Sequence, residues 1–313
     1  MEPTPVVVYN SIARQGQAAS FLPRVESLLH EEGFAYRLQV SAYPGHAVQI
    51  ARQAAEGGAA MVIAAGGDGT VQEVVNGLMQ ARLDGGRRPV LGVLPVGRGN
   101  DFAFSLAIPQ GLSAAVRVLS RGRVRTVDLG HLAGGNYPKG RYFVNGVGMG
   151  FDAVVDFEAA KIKWLKGAAS YLLAVIRTAF LYAKAPVYEI EIDGESRTAP
   201  FLLVSVMNGR RLAGSFYMAP EGNPADGLLD LCLAGQVKQA AILPLAARFL
   251  NGTQGQHPAV STTRARKVSI RAVTGTIPAH ADGEVICTAG QQLSIKLLPA
   301  ALAVVAPSDK GTG

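Results

Sequence analysis

The stretch from Met61 to Thr70, MVIAAGGDGT, is an apolar run that ends in glycines, one carboxylate and one hydroxyl. A helical spacing follows at once: Val71, Val74, Val75, Leu78, Met79. A strand that feeds a glycine-rich turn and then a helix is a seat for a polyphosphate. Glycine lets the backbone approach the anion, amide N–H groups point at it, and the helix N-terminus adds partial positive charge. The turn matches neither the GxGxxG of dinucleotide folds nor the GxxxxGK[ST] of P-loops. It carries no lysine, so Mg²⁺ and basic residues distant in sequence have to neutralise the charge. Glu73 and Asn76 lie on the first turns of the helix. Glu73 can support the turn or a metal, or can simply interact with the helix dipole.

Three further blocks carry reactive groups. LPVGRGNDFA (94–103) is a second strand, glycine turn and helix start. Asn100 or Asp101 is its expected N-cap, and the Arg98 guanidinium has the fork geometry for phosphate. The Asp282-Gly283-Glu284 turn offers one carboxylate as a general base and another for Mg²⁺, although DG alone is also a common hairpin turn. The loop from Pro220 to Leu228 is rich in oxygen ligands. Either a Mg²⁺ or Ca²⁺ site, on one carboxylate and backbone carbonyls, or a metal-free turn fits it. The five histidines show no metal-ligand spacing. Lys161, Lys163 and Lys166 flank Ile162, Trp164 and Leu165, which reads as a solvated helix start or as an interfacial segment. Arg264, Arg266, Lys267 and Arg271 form a second basic cluster without an assigned role.

The elements that must position these blocks alternate in the first part of the chain. Strands are expected at Val6–Tyr9, Tyr36–Val40, Ala60–Ala65 and Val90–Leu94. Helices are expected at Phe21–Glu32, Ala47–Glu56 and Ser113–Ser120. Such alternation implies βαβ units and a mostly parallel sheet, which binds ligands outside the carboxyl ends of its strands. From about Asp128 the pattern turns to strands: Val187–Asp193, Pro200–Met207, Leu228–Leu233, Lys267–Ala272, Glu284–Thr288 and Leu293–Leu298. Lys161–Lys184 is the one long helical stretch expected there. The reading is an α/β nucleotide-binding domain over 1–128 and an antiparallel β domain over 129–298, with 299–313 returning to the first.

The 313 residues suffice for two domains, and a 49% hydrophobic content excludes a disordered chain. Aromatic residues at 7% argue against a stacking platform for single-stranded nucleic acid. The net charge of +7 suits an anionic partner or an ordinary basic surface. Cys232 and Cys287 have no CxxC spacing, so neither disulfide nor zinc is indicated and a reducing cytosol fits. The N-terminus lacks the pattern of a signal peptide, and no uncharged apolar run of about 18 residues predicts a spanning helix.

Together the blocks resemble the diacylglycerol kinase catalytic family, in particular bacterial lipid kinases related to the sphingosine kinases. The resemblance rests on GGDGTVQEVVNG (66–77), LPVGRGNDFA (94–103), NGVGMGFDA (145–153), KWLKGAASYL (163–172), APEGNPADGLLDL (219–231) and ADGEVI (281–286). It implies a C-terminal β-sandwich, an interdomain active site, ATP, Mg²⁺ and phosphorylation of a lipid hydroxyl. Asn10, Ser41 and the run Gly66, Gly67, Asp68, Gly69, Thr70 through Glu73 would surround ATP. Gly97, Arg98, Asn100 and Asp101 of the second turn join that expected nucleotide site. Glu284 would accept the proton, with Asp282 beside it. Asp226, with backbone oxygens of Asn223 and Leu228, would hold a structural Mg²⁺.

The chain departs from the family's pattern in two places. The first loop reads Asn10-Ser11-Ile12-Ala13-Arg14 with a late Gly16, and Arg98 stands where Thr is common. The expected partners are ATP and a membrane lipid, with peripheral contact at the inner face of the membrane from the cytoplasm and no nucleic acid. A homodimer stays open. The acceptor is left open among diacylglycerol, a long-chain base, a ceramide or an isoprenoid alcohol. Two other readings remain: an NAD kinase-like enzyme sharing GGDGT, and a nucleotide- or lipid-binding protein with weak catalysis.

Overall fold

The computed structural model describes residues 4–11, 13, 17–82, 88–162, 168–181 and 184–308. Ile12, Arg14 and Gly16 of the first loop, and Lys163, Trp164, Leu165 and Lys166 of the basic segment, lie outside these residues.

The first part alternates β1 (Val6–Asn10), α1 (Leu22–Glu31), β2 (Arg37–Ser41), α2 (His46–Glu56), β3 (Met61–Gly66), α3 (Asp68–Gln80), β4 (Val90–Pro95), α4 (Asp101–Ser105) and α5 (Leu112–Arg121). The strands pair in parallel in the order β2-β1-β3-β4. Helices cover the sheet faces, which is why β1 and β3 read as unbroken apolar runs and are buried along almost their whole length. Helix α5 buries Ala115, Val116 and Leu119 at helical spacing against this core.

The second part contains β5 (Arg123–Gly134), β6 (Tyr137–Phe143), β7 (Gly146–Gly150), α6 (Phe151–Lys161), α7 (Ala168–Leu181), β8 (Val187–Ile192), β9 (Glu195–Met207), β10 (Leu229–Gly235), α8 (Gln239–Asn251), β11 (Val260–Ala265), β12 (Lys267–Ala272), β13 (Ile277–Ala281), β14 (Glu284–Gly290) and β15 (Gln292–Ala306). Its strands pair antiparallel, and β9 turns a corner: its first half pairs with β8 and its second half with β7 and β10. The two sheet faces enclose a second core that includes Val147, Tyr188, Val204, Leu231, Ile270 and Ile295. Strands β12 and β15 alternate buried and exposed residues, as a one-sided strand must. The fold is thus a parallel α/β domain followed by an antiparallel β-sandwich.

The two parts share strands. β15 pairs with β5 from Leu293↔Gly134 to Ala306↔Arg123, shifts register between Leu298 and Leu302, and reaches β4 in parallel at Val304↔Leu91. Its early residues lie in the sandwich core and Leu302 and Val304 lie in the α/β core. The α/β sheet and the sandwich are therefore joined through continuous hydrogen-bonded strands.

The structure corrects the long helix expected over Lys161–Lys184. Helix α6 starts ten residues earlier, at Phe151, and stops at Lys161, and α7 is a separate helix. Helix α8 lies outside every segment expected to be helical, and its internal Pro244 and exposed leucines blur the periodicity. Helices α6, α7 and α8 form an outer layer with a third apolar core against β9 and β10. Among the described residues no helix is long and apolar enough to cross a membrane.

Candidate active site

Strands β3 and β4 are neighbours, so their two glycine turns leave the same sheet edge side by side. The carbonyl of Gly66 accepts the amides of both Val96 and Gly97. A Cβ on Gly97 would stand 2.2 Å from the Gly67 Cα. Only glycine permits that approach. The expected side-chain N-cap of α4 is supplied differently. Asn100 occupies the cap position in the left-handed region, φ 49°, and its side chain donates to Gly97 O and Gln110 Oε1 instead. Asp68 Oδ1, from the first turn, accepts the Phe102 amide at 3.1 Å. The GGD carboxylate therefore caps the second turn's helix and locks the two blocks together.

These turns floor a polar cavity of about 460 Å³, lined by Asn10, Ser41, Gly67, Gly69, Thr70, Glu73, Gly97, Arg98 and Glu284. Asn10 Nδ2 donates to Thr70 Oγ1 at 3.0 Å. Glu73 accepts the amides of Gly45 and Ala47, at 2.9 and 3.1 Å, and so caps α2 and holds the Tyr43–Pro44 wall. Ser41, at the end of β2, is buried.

Glu284 overhangs this floor from the sandwich: a Cβ at Gly69 would lie 4.0 Å from its Oε1. Arg141 of β6 forms an ion pair with Glu284 Oε2 and also donates to Gln72 Oε1. Gln72 Nε2 in turn donates to the Ala281 carbonyl, and Asn76 exchanges hydrogen bonds with the Tyr142 backbone. The polar residues of α3 thus clamp the two domains at the turn that carries Glu284. Burial pushes the Glu284 carboxyl up, Arg141 pulls it back down, and Glu73 adds to the rise.

Asp282 stands two residues before Glu284 in the same turn, and its carboxylate is taken up by backbone amides. It sits in the left-handed region at φ 49° and accepts the amides of Val144, Asn145 and Gly146 at 2.8, 3.0 and 2.9 Å. Both carboxylate oxygens are thereby engaged with backbone, which fixes the turn that presents Glu284. Burial pushes its carboxyl up to about 7 against those amides.

A second cavity, of about 300 Å³, shares Arg98 with the polar one. Its body is apolar, with Val155, Val175, Leu203, Ala234, Ile242 and Phe249 among its walls, and Asp68, Arg98, Gly99 and Asp101 also line it. Arg98, exposed, borders both cavities. Asp101 pairs with Arg211 at 2.8 Å and accepts the Gly214 amide. Burial and then Asp68 push the Asp101 carboxyl up to about 7, against the Gly214 amide and Arg211. Burial likewise pushes Asp68 up, with the amides of Phe102, Asp101 and Asn100 opposing. The two carboxylates lie close together and offer hard oxygen ligands of the kind Mg²⁺ takes. Among the described residues no three acidic, histidine or cysteine side chains converge on one point, so a Mg²⁺ there would keep several waters.

The Asn223, Asp226 and Leu228 group lies outside both cavities. Asp226 Oδ1 accepts the Leu228 amide, and Asn223 Oδ1 that of Ala225. Asp128 ties this loop to β5 and β15 by accepting the amides of Gly227 and Ala300. Arg264 and Arg271 of the second basic cluster pair with Asp230 and Glu189. Gly66 and Asn100 brace the second turn through hydrogen bonds to Val96 and Gly97 and line neither cavity. Sequence reasoning missed Arg141, Arg211 and Gln72. Arg211 had a faint signal, a basic pair shortly after the apolar strand that ends at Met207; Arg141 and Gln72 had none.

Two family models match the chain: the diacylglycerol kinase catalytic domain over residues 4–132, and the YegS C-terminal NAD kinase beta sandwich-like domain over residues 145–306. A Chromohalobacter salexigens protein named "Probable lipid kinase YegS-like" is 37% identical over 216 residues, 68% of this chain and 67% of that one. The diacylglycerol kinase of Bacillus subtilis is 31% identical over 282 residues, 89% and 88% of the two chains. The fold matches a crystal structure of a diacylglycerol kinase from Bacillus anthracis with a TM-score of 0.72 at 21% identity, covering 97% of each chain.

Proposed function

The chain belongs to the diacylglycerol kinase catalytic family, a family of phosphotransferases with an alcohol acceptor, and from that premise we propose that it is an ATP- and Mg²⁺-dependent lipid kinase. The observation that carries the reading is the meeting of two unlike cavities at Arg98, with Glu284 overhanging the polar one. The polar cavity takes ATP. Amides of the two glycine turns and the Arg98 guanidinium face its phosphates. The apolar cavity takes the hydrocarbon of a membrane lipid alcohol, of which diacylglycerol is the acceptor that the family name supplies.

The reaction is an in-line displacement. The lipid hydroxyl attacks the γ-phosphorus, Glu284 accepts its proton, and the bond from γ-phosphorus to the β–γ bridging oxygen breaks to release ADP. Most of the acceleration comes from positioning and charge. A carboxyl raised by burial is a better base near neutral pH than an ordinary one, and Arg141 keeps it ionised and oriented. Asp282 serves as a positioning residue. Asp68 and Asp101, which line the apolar cavity beside Arg98, would hold Mg²⁺, and the ion would supply neutralisation of the phosphate charge. The 223–228 loop, with Asp226 and backbone oxygens of Asn223 and Leu228, would hold a structural Mg²⁺ with retained waters. The lipid face of the apolar cavity requires contact with a membrane surface during loading.

The test offers labelled ATP with a panel of lipids in mixed micelles, with and without Mg²⁺, and with NAD⁺ as a rival acceptor. Label in a lipid only when Mg²⁺ is present supports the reading. Label in NAD⁺ alone, or in nothing, contradicts it.

A further inference from the structure

The apolar cavity contains a polar group of side chains that phosphoryl transfer does not use. Asp152 and Asp156 on α6 and His280 on β13 line the same cavity as Phe249 and Val175. Asp152 and His280 are 7% and 5% exposed. Asp152 Oδ1 accepts the Ala153 amide. Asp152 Oδ2 and His280 Nδ1 have no hydrogen-bond partner among the described residues. His280 Nε2 stands 3.6 Å from Asp152 Oδ2, too far for a good hydrogen bond. Native proteins leave few buried polar atoms unpaired, so each such atom calls for an explanation. Here two occur together on a cavity wall.

The backbone is shaped around this pair. A Cβ on Gly148 of β7 would lie 2.1 Å from Asp152 Oδ2 and 2.4 Å from His280 Nε2. Any side chain at 148 would evict them. The charge balance is also one-sided. Burial lowers the His280 imidazole, but Asp152, Asp156 and Asp282 outweigh it and raise it overall. Burial raises the Asp156 carboxyl, with His280 opposing and Asp152 adding. Asp282 is tied down by the amides of residues 144–146, which leaves Asp152 and Asp156 as acceptors facing the cavity against one imidazole. An occupant made only of hydrocarbon and esters would offer these acceptors no donor.

We propose that Asp152, oriented by His280, forms a polar subsite inside the lipid cavity that accepts a hydrogen bond from a second donor group of the acceptor lipid. The preferred acceptor then carries a free hydroxyl or amine close to the alcohol that is phosphorylated, as in a monoacylglycerol or a long-chain amino alcohol. A diacylglycerol, in which the neighbouring oxygens are esterified, is the poorer acceptor. The inference rests on the lipid-kinase reading and narrows its substrate class.

The experiment compares kcat/KM for monooleoylglycerol, a long-chain 2-amino-1-alcohol and dioleoylglycerol in mixed micelles. The full chain is compared with Asp152→Asn and His280→Leu, whose folding is checked by thermal melting and nucleotide binding. A hydrogen bond to a charged group predicts a preference of roughly ten-fold for a donor-bearing lipid, collapsing towards parity in either variant mainly through KM. A merely structural role would depress all three lipids alike. Dioleoylglycerol preferred by the native chain, or a preference that survives both variants, would overturn the proposal. Binding of fluorescent analogues of the three lipids separates the two readings. Donor-dependent binding that needs Asp152, without transfer to any lipid, keeps the subsite and rejects the kinase. Absence of binding rejects the subsite as well.

Discussion

Arg211→Met is the sharpest probe of the electrostatics at the junction of the cavities. The change removes a guanidinium that reaches Asp101 Oδ1 at 2.8 Å and Gly99 O at 3.1 Å and lies 3.7 Å over the Phe104 ring. The two charged side chains are only 13% and 6% exposed, so solvent screens them little. Removing the guanidinium leaves the Asp101 carboxylate without its partner; with a native value of about 7 it escapes by taking up a proton at about 1–2 kcal/mol at pH 8, and the lost hydrogen bond to Gly99 O adds about 1 kcal/mol. At about 2 °C per kcal/mol for a chain of this length, Tm at pH 8 should fall by about 4–6 °C.

The loss should depend on pH. Asp101 is raised from the ordinary 3.8 to about 7. Below that value the carboxyl is largely neutral and Arg211 has little charge to balance, so the penalty is small at pH 5.5 and grows toward pH 8. Because the folded value lies above the unfolded one, the native chain should itself lose stability from this group as pH rises from about 4 to about 7. Asp101→Asn added to Arg211→Met should recover about 1–2 kcal/mol at pH 8, since the stranded charge is gone. Thermal melting of the native chain, Arg211→Met, Asp101→Asn and the double variant at both pH values is the assay. A single-variant loss below about 1 kcal/mol at pH 8, or a double variant no more stable than Arg211→Met, would refute the reasoning.

Other substitutions separate the parts of the site. Asp282→Ala leaves the amides of Val144, Asn145 and Gly146 without their acceptor and should destabilise by about 3 kcal/mol in urea unfolding; a loss under about 1 kcal/mol contradicts the positioning role. Ala234→Phe fills part of the apolar cavity and should lower lipid kcat/KM at least roughly ten-fold while the Kd for ATP stays put. Equal loss of both would mean that the cavities are not separate. The acid limb of kcat/KM should lie above the ordinary Glu value of 4.5, because burial raises Glu284, and should move further up in Arg141→Gln. A limb at 4.5 that ignores Arg141 would count against Glu284 as the base.

The α/β part was legible because its strands are buried on both faces and its helices end in glycine, so hydrophobic runs and punctuation coincide. The turns after β3 and β4 were legible for the same reason: the backbone there needs glycine, and the sequence displays it. Helices α6 and α8 were not. They line a cavity on one side and meet solvent or neighbouring helices on the other, so their apolar residues do not form a single stripe. The contacts of Glu73, Asp68 and Asp282 were beyond sequence reasoning because each carboxylate binds backbone amides distant in the chain. Asp282 lies 136 to 138 residues from its partners. Arg141, which holds Glu284, comes from a hairpin whose sequence carries no chemical signature.

The central claim is that Glu284 takes the proton of a lipid hydroxyl at the meeting point of the two cavities. The most direct measurement is kcat for transfer of labelled γ-phosphate to the best lipid acceptor, at saturating ATP and Mg²⁺, for the native chain and Glu284→Gln. Loss of a positioned general base should lower kcat by about 10²–10⁴-fold, with ATP affinity and Tm close to native. Turnover by Glu284→Gln equal to that of the native chain would contradict the account.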